Sequence, residues 1–446
     1  MLMDEPGLKN VAERVLAASA ADQTEVLIYG GHSALTRFAN SYIHQNVART
    51  GFEVSVRAVI GKKIGIAATN ILSDEMLKAV AERAVTLARH QKENEDFQSL
   101  PGPAPLPQAN AYSQRTADCT PEQRAGVVAT ICDAARREGV TAAGAFKTGV
   151  SEIAVANSRG VFAYNRDTHA SLNTTMMSAT SSGYASRLSI DVDDIDGAAV
   201  AAEAIDKCLR STDPIALEPG EYEVILEDYA VADILDFFAY LSFGAQAYQE
   251  KRSFMTDHLG EKVMGDNITI WDDGLSPETI ANPFDFEGVP RQRVDFIVNG
   301  VAKGIVYDTY YGGKEGKSST GHALPAAVTF GPVPSNMFLA AGNASKEEML
   351  ASVERGIWVS RFWYTRPVHP LRVIVTGMTR DGTFLIEKGK ITAPVRNLRF
   401  TQSYLDAMNQ VELIGSETRL HEAIAGVSRV PALKIRSWAF TGATEF

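Results

Sequence analysis

The stretch Glu223-Val-Ile-Leu-Glu227 sets the pattern of the second half of the chain. Its run of consecutive apolar residues is typical of a short buried strand. Helical spacing follows, and we predict a helix over about 229–246. Asn299-Gly300 and Asp381-Gly382 are strong signals for two-residue hairpins, so this half is predicted to be antiparallel and β-rich. Further strands are predicted at 267–271, 293–298, 372–376 and 383–387.

The first half of the chain combines helices with strands in two successive blocks. A helix is predicted up to about residue 21, and a short strand at 25–30 is predicted to end at Gly30-Gly31. Ser73 and Thr120 have the sequence context of helix N-caps, which predicts helices to about residues 92 and 138. A last helix is predicted at 197–209. Alternating apolar residues predict strands at 36–46, 51–60, 145–156, 160–165 and 168–178.

Two breaks divide these blocks. The stretch Leu100-Pro-Gly-Pro-Ala-Pro-Leu-Pro107 is too rich in proline for a helix or a central strand, and Glu218-Pro-Gly220 forms the second break. A chain of 446 residues also exceeds the roughly 250–300 residues that one core accommodates. We therefore predict an α+β fold of three domains with mixed or antiparallel sheets flanked by helices. The predicted parts are 1–100, a linker at 101–116, 117–212, and the large β-rich domain 219–446.

Composition and charge exclude several classes of protein. The formal net charge of -11 disfavours binding to nucleic acid, because the mean field repels phosphate. No stretch approaches the ~18 apolar residues of a membrane span, so no membrane association is expected. Three cysteines without a CxxC pair exclude a disulfide framework or a zinc ribbon. The N-terminal residues resemble an amphipathic helix rather than a signal peptide, and the expected location is the cytoplasm.

Short motifs give little support for catalysis. His421-Glu422-Ala-Ile-Ala425 begins like a zincin motif, but the position of the second imidazole is not a histidine, and a surface helix turn is the preferred interpretation. Gly316-Lys317-Ser318 resembles the end of a phosphate-binding loop, yet Tyr311 stands where that motif requires glycine. The remaining histidines are scattered, and no serine nucleophile elbow is present.

The stretch from Tyr307 to Gly321 is predicted to be a long glycine-rich loop. Loops of this length that lack secondary structure are often functional. Contact with a substrate or partner is one interpretation, and simple packing is the alternative. The candidate contact residues are Tyr307, Tyr310, Tyr311, Lys317 and His322.

The C-terminal half resembles the TldD/TldE (PmbA) metallopeptidase family. The resemblance rests on the strand and helix after Glu223, on the loop 307–321, and on segments similar to the family's closing hairpins and final strand. Those segments are 377–391, 394–398, 400–403 and 431–435. The three-part layout matches as well, so the resemblance spans nearly the whole chain.

The resemblance implies a metal-free subunit. The catalytic TldD type carries H-E-x-x-x-H on the helix after the first strand of this domain, with a cysteine downstream. Here Glu227 and Asp228 stand at the first His and the Glu, Ala232 stands at the second His, and all cysteines precede residue 209. Zinc held for hydrolysis usually has about three protein ligands that include imidazole. No metal or cofactor is therefore expected in this chain, and zinc is expected in a partner subunit.

The implied function is that of a non-catalytic subunit. The chain would pair with a TldD-type catalytic subunit as a heterodimer, or form a homodimer, and the complex would hydrolyse unfolded peptides held as extended strands. One alternative is an independent metal-dependent peptidase with atypical ligands such as Glu227, Asp228 and His258. Another is a protein-binding modulator of the kind named for DNA gyrase in this family.

Overall fold

The structure is a computed structural model that describes residues 2–444. Within that range the chain forms α-helices, two short 3-10 turns at Val192–Asp194 and Pro370–Arg372, and strands. The helices are α1 Asp4–Ala18, α2 Asp74–His90, α3 Gln114–Ala117, α4 Pro121–Arg137, α5 Gly197–Arg210, α6 Asp228–Leu241, α7 Ala245–Gln249, α8 Thr309–Lys314, α9 Lys346–Ala351 and α10 Tyr404–Met408.

The strands fall into two groups along the sequence. The first group is β1 Gln23–Ala39, β2 Tyr42–Ile60, β3 Lys63–Thr69, β4 Thr141–Asn157, β5 Phe162–Met177 and β6 Ser182–Ser189. The second group is β7 Gly220–Leu226, β8 Ile270–Asp272, β9 Val294–Val298, β10 Val301–Ala302, β11 Asn336–Leu339, β12 Arg355–His369, β13 Ile374–Glu387, β14 Lys390–Pro394, β15 Leu398–Ser403, β16 Val411–Ala423 and β17 Gly426–Ala443.

Each group of strands forms one sheet. The first sheet is antiparallel throughout, in the order β3-β2-β1-β4-β5-β6, so it joins strands from both sides of the proline-rich stretch. The second sheet is mixed, because β7 pairs parallel with β12 and antiparallel with β17. The predicted α+β class with a large β-rich C-terminal part is confirmed. The predicted domain boundaries stay a prediction.

Apolar side chains of the helices cover one face of each sheet. Leu8, Val11 and Val15 of α1 pack with α2 on the first sheet, and α4 and α5 cover its other half. Helix α6 is apolar on nearly all sides and lies in the largest core, which joins it to β7, β12 and β17. Such a helix is buried because burial of apolar surface stabilises by roughly 25 cal/mol per Å². No helix of the described residues is long and apolar enough to cross a membrane.

Two glycine-containing dipeptides, Gly30-Gly31 and Asp381-Gly382, do not make the strand end and the hairpin turn that were predicted for them. Gly30 and Gly31 lie inside β1, where a side chain would overlap the carbonyl oxygens of Gly51 and Val150 on the flanking strands. Asp381 and Gly382 lie inside β13, where the register with β12 shifts at a bulge. The predicted strand end at Gly30-Gly31 and the predicted hairpin at Asp381-Gly382 were therefore wrong. The turn at Asn299-Gly300 between β9 and β10 is confirmed.

Candidate functional site

The motif positions lie at the start of α6, beneath the second sheet. Glu227 is the residue before the helix, with an extended backbone, and Asp228 is the first helical residue. An acidic side chain is favourable there because the helix dipole places partial positive charge at its N-terminus. Both carboxylates are buried, with 5% and 4% of the residue exposed. Burial of this kind requires hydrogen-bonding partners.

Both carboxylate oxygens of Glu227 accept hydrogen bonds from neighbouring side chains. Lys207 Nζ, on α5, lies 2.7 Å from Glu227 Oε2. Trp358 Nε1 donates to Glu227 Oε1 over 2.7 Å. Burial alone would lower the pKa of Lys207, but the negative charges of Glu227 and Glu203 outweigh it and raise that pKa. Lys207 is thus a buried, charged partner of Glu227, which stands at the position of the family's first histidine.

Asp228 pairs with His421 across the sequence. His421 Nε2 lies 2.9 Å from Asp228 Oδ2, and the two rings of His421 and Tyr229 meet edge to face. Burial alone would raise the pKa of Asp228, but the hydrogen bond from His421 outweighs it and holds the pKa well below its usual range. The surface helix turn predicted at His421 was wrong. His421 lies in β16 and is buried, because its imidazole supplies the partner that Asp228 needs.

Glu203 connects these two pairs. Its carboxylate accepts from Lys207, from Arg187 and from Arg419, and the hydroxyl of Tyr229 donates to it over 3.0 Å. Burial alone would raise the pKa of Glu203, but the charges of Lys207 and Arg419 hold it at about 2. We call this set the Glu203 network. Its members are Arg187, Glu203, Lys207, Glu227, Asp228, Tyr229, Arg419 and His421.

A polar cavity of about 270 Å³ opens beside the Glu203 network. Ala232, at the position of the family's second histidine, lines it without offering a ligand atom. Asp233 and Asp236 line it too. Burial raises the pKa of Asp236 to about 7, and the charge of Asp233 adds to the rise. Burial raises the pKa of Asp233 to about 6, although hydrogen bonds from Tyr404 and Thr365 oppose this.

These residues do not fit a catalytic zinc ion. The described residues contain no group of three or more His, Cys, Asp or Glu side chains that could hold a metal ion. Both oxygens of Glu227 and one oxygen of Asp228 are engaged by cationic or polar side chains. A metal ion there would have to displace Lys207, whose positive charge would oppose it. The expectation that this chain holds no metal stays a prediction.

The candidate contact residues of the predicted glycine-rich loop lie away from the Glu203 network, and some of them are buried. The stretch 307–321 contains the helix α8, which Asp308 caps by accepting from the N–H of Tyr311, so the prediction of a loop without secondary structure was wrong there. Tyr307 is buried, and its hydroxyl lies 2.7 Å from Lys317 Nζ. Tyr310 and Tyr311 are half-buried, and their rings meet edge to face.

His322 is the most buried of these candidates. It is 1% exposed, its Nε2 lies 3.0 Å from Asp272 Oδ1, and its Nδ1 lies 3.0 Å from the hydroxyl of Thr320. Burial lowers the pKa of His322, although Asp272 opposes this. The contact roles of Tyr307, Tyr310, Tyr311, Lys317 and His322 stay predictions.

Sequence reasoning missed most of the Glu203 network. Lys207, Glu203 and Arg419 belong to no motif, and the two acids of the adjoining cavity, Asp233 and Asp236, lie in a largely apolar helix. One local signal was available, since Glu203 and Lys207 stand four residues apart on a predicted helix, where an ion pair is expected. That spacing is common on exposed helices, however, and does not reveal burial.

Comparisons with known proteins agree along most of the chain. Residues 219–442 match the model of the PmbA/TldA metallopeptidase C-terminal domain, 116–212 match that of the central domain, and 24–88 match that of domain 1. An uncharacterised protein of Methanocaldococcus jannaschii is 25% identical over 68% of this chain and 70% of its own length. A metalloprotease TldD homologue of Haemophilus influenzae is 27% identical over 54% of this chain and 52% of its own length.

Solved structures share the fold. TldE from Thermococcus kodakarensis superposes with a TM-score of 0.89 at 19% identity, covering 98% of this chain and 100% of that one. A protein of Thermotoga maritima, named as a candidate modulator of a DNA gyrase, superposes with a TM-score of 0.86 at 18% identity, covering 97% of this chain and 100% of that one. At these identities the likeness concerns the fold alone.

Proposed function

Because the chain belongs to the PmbA/TldD metallopeptidase family, we propose that it is a metal-free, non-catalytic subunit of a peptidase complex. Its partner would be a TldD-type subunit, which would carry the zinc and the reaction. The complex would hydrolyse unfolded peptides. In this proposal the chain shapes the peptide-binding space but contributes no reacting group.

The observation that carries the proposal is the engagement of Glu227 by Lys207. Their atoms lie 2.7 Å apart in a buried setting, at a position where a catalytic relative would present a metal ligand. A lysine ammonium beside the site opposes a divalent cation, whereas a buried ion pair holds the segment in one arrangement. The Glu203 network therefore supports a structural role for this end of α6.

A free sheet edge supports a role in holding peptides. Residues 54–60 of β2 pair with β3, whereas within residues 2–444 the part 42–53 of β2 pairs only with β1. Its outer edge thus presents unpaired backbone N–H and C=O groups, and its side chains at 42–51 are exposed. Such an edge can add an extended peptide as a further strand.

The two alternatives receive less support. An independent peptidase with Glu227, Asp228 and His258 as ligands lacks a ligand set, because the described residues contain no suitable cluster. His258 instead pairs with Glu261 on the surface. A role as a modulator of a nucleic-acid enzyme would rest on the names of structural relatives, and no feature found within residues 2–444 favours it.

Reconstitution tests the proposal. The purified chain and a TldD-type protein from the same organism are assayed separately and mixed, with a labelled unfolded peptide as substrate. We expect no cleavage by the chain alone, and cleavage by the mixture that a chelator abolishes. As a matched control, the mixture is repeated with a TldD-type protein whose motif histidines are replaced. Chelator-sensitive cleavage by this chain alone after repeated purification would falsify the proposal.

A further inference from the structure

The guanidinium of Arg291 is a buried cation whose Nε and Nη1 lack hydrogen-bond partners among the described residues. The residue is 5% exposed. Removing a guanidinium from water is costly unless acceptors replace the lost hydration. An unpartnered buried charge in a folded protein therefore points to an acceptor that binds from outside.

The position of the Arg291 side chain is fixed by its surroundings. Its backbone N–H donates to the carbonyl of Pro283 over 3.0 Å. Its Cδ lies so close to Gly274 that a side chain at that position would overlap it. The nearby carboxylate of Asp272 contributes charge, but its oxygens already accept from His322 and from the N–H groups of Ser335 and Asn336. Arg291 is thus held in place and left with free donors.

The cavity that Arg291 lines has a volume of about 280 Å³. Asn282 lines it as well, and the Oδ1 of Asn282 also lacks a partner among the described residues. Asp167 contributes an acid to the wall, and burial raises its pKa to about 7, so that it is partly protonated near neutral pH. Much of the rest of the wall is apolar, with Ile280, Phe286, Leu324 and Val333.

A second, apolar cavity of about 260 Å³ lies next to the first. The two share Leu324, Val333, Ser335, Ala425 and Val427 in their walls. The second cavity is bordered by side chains that are unusually exposed for their size, with Phe330 57% exposed and Ile424 72% exposed. Exposed apolar groups that cluster in this way commonly mark a binding surface.

We propose that these neighbouring cavities bind the carboxy-terminal end of a peptide with an apolar last residue. Arg291 would bind the terminal carboxylate through two parallel N–H···O bonds, which suit the planar guanidinium. Asn282 Oδ1 would accept the N–H of the last peptide residue, and the apolar cavity would take its side chain. One buried cation beside acids matches the single charge of a carboxylate better than the double charge of a phosphate.

The proposal goes beyond the subunit role above and does not depend on it, because binding is a property of this chain alone. The test is fluorescence anisotropy of the full chain with a labelled four-residue peptide that ends in leucine. One arm uses the free carboxylate, a second uses the same peptide amidated at its C-terminus, and a third adds acetate as a competitor. We expect the free peptide to bind at least about tenfold more tightly than the amide.

The matched variants are Arg291→Met and Arg293→Met. Arg291→Met should weaken binding of the free peptide about tenfold and leave the amide unchanged. Arg293 lies two residues away and stacks on Trp271 at the surface, so Arg293→Met should leave both unchanged. If Arg291→Met does not fold, the comparison of the two peptides on the native chain still decides the matter.

Equal binding of the free and amidated peptides would overturn the proposal. Acetate that competes at the same concentration as the peptide would instead identify a site for free carboxylates, and that result would overturn the assignment to a peptide end. Neither outcome bears on pairing with a TldD-type subunit, because the assay contains no partner and no metal.

Discussion

Lys207 Nζ and Glu227 Oε2 lie 2.7 Å apart and join α5 to the start of α6 in a buried ion pair. Glu203 holds the same lysine from four residues upstream, over 2.9 Å. The pair therefore fixes how the two segments meet, on either side of the predicted break between residues 212 and 219. Removing one member would leave the other charge buried without compensation, which is costly.

We predict that Lys207→Met destabilises the chain by about 3–5 kcal/mol, because Glu227 would lose its cation in a buried setting. The double variant Lys207→Met with Glu227→Gln should recover part of that loss, since Glu203 keeps Arg187 and Arg419 as partners. Denaturant unfolding of the purified chains measures both. Lys78→Met is the control, because Lys78 forms an exposed pair with Glu82 that contributes little. An equal loss in both lysine variants would contradict the prediction.

We predict that the purified chain retains less than about a tenth of an equivalent of zinc after incubation with zinc and dialysis, because the motif positions offer no set of three free ligands. Elemental analysis gives the result directly. A TldD-type protein treated in the same way serves as the positive control. Stoichiometric zinc in this chain would show that ligands outside the motif positions form a site.

The strand and helix after Glu223 could be predicted because their signals are local. An apolar run followed by helical spacing is decided within a few residues, and the structure has β7 and α6 there. Two dipeptides that end in glycine show what a local signal cannot decide. Asn299-Gly300 turns the chain, whereas Asp381-Gly382 makes a bulge within β13, although both dipeptides favour the same left-handed backbone. Pairing with a neighbouring strand decides between these outcomes.

The Glu203 network could not be predicted for a similar reason. His421 and Asp228 are 193 residues apart, and Trp358 and Glu227 are 131 apart. None of these four residues belongs to a recognisable motif in its own segment. They come together only when β12 and β16 pack against α6. The sequence did predict that Glu227, Asp228 and Ala232 depart from the family's motif. It did not indicate that a lysine and a histidine would pair with the two acids.

We predict that replacing Tyr310 and Tyr311 with alanine weakens assembly with a TldD-type partner by at least about 1 kcal/mol, a modest effect for interface aromatic residues. Because both rings are half-buried and the Tyr310 hydroxyl lies 3.3 Å from Asn94 Oδ1, some loss of stability is expected as well. Binding is therefore measured by calorimetry well below the unfolding temperature. Tyr112→Ala is the control, since Tyr112 is half-buried against Arg166. Unchanged affinity in the folded double variant would assign the two rings to internal packing.

The raised pKa of Asp236 predicts a dependence of stability on pH. Burial, with the charge of Asp233, moves this pKa from 3.8 to about 7 in the native state. Between these values the native state binds more protons than the unfolded state, so the free energy of unfolding falls as pH rises. Asp236→Asn removes this loss. We compare the free energy of unfolding of Asp236→Asn with that of the unsubstituted chain. The difference should change in favour of the variant by at least about 1 kcal/mol between pH 4 and pH 8.

Urea unfolding at pH 4, 6 and 8 measures the difference for Asp236→Asn. Asp206→Asn is the matched control, because Asp206 forms an exposed pair with Arg210 and has no place in the cavity. Most of the change for Asp236→Asn should fall below pH 7, since the native carboxyl loses its proton near that value. A difference that stays constant over this range would mean that the pKa of Asp236 is nearly the same in the native and unfolded states, with its charge in the cavity compensated by Arg187 or Arg361 in the same wall.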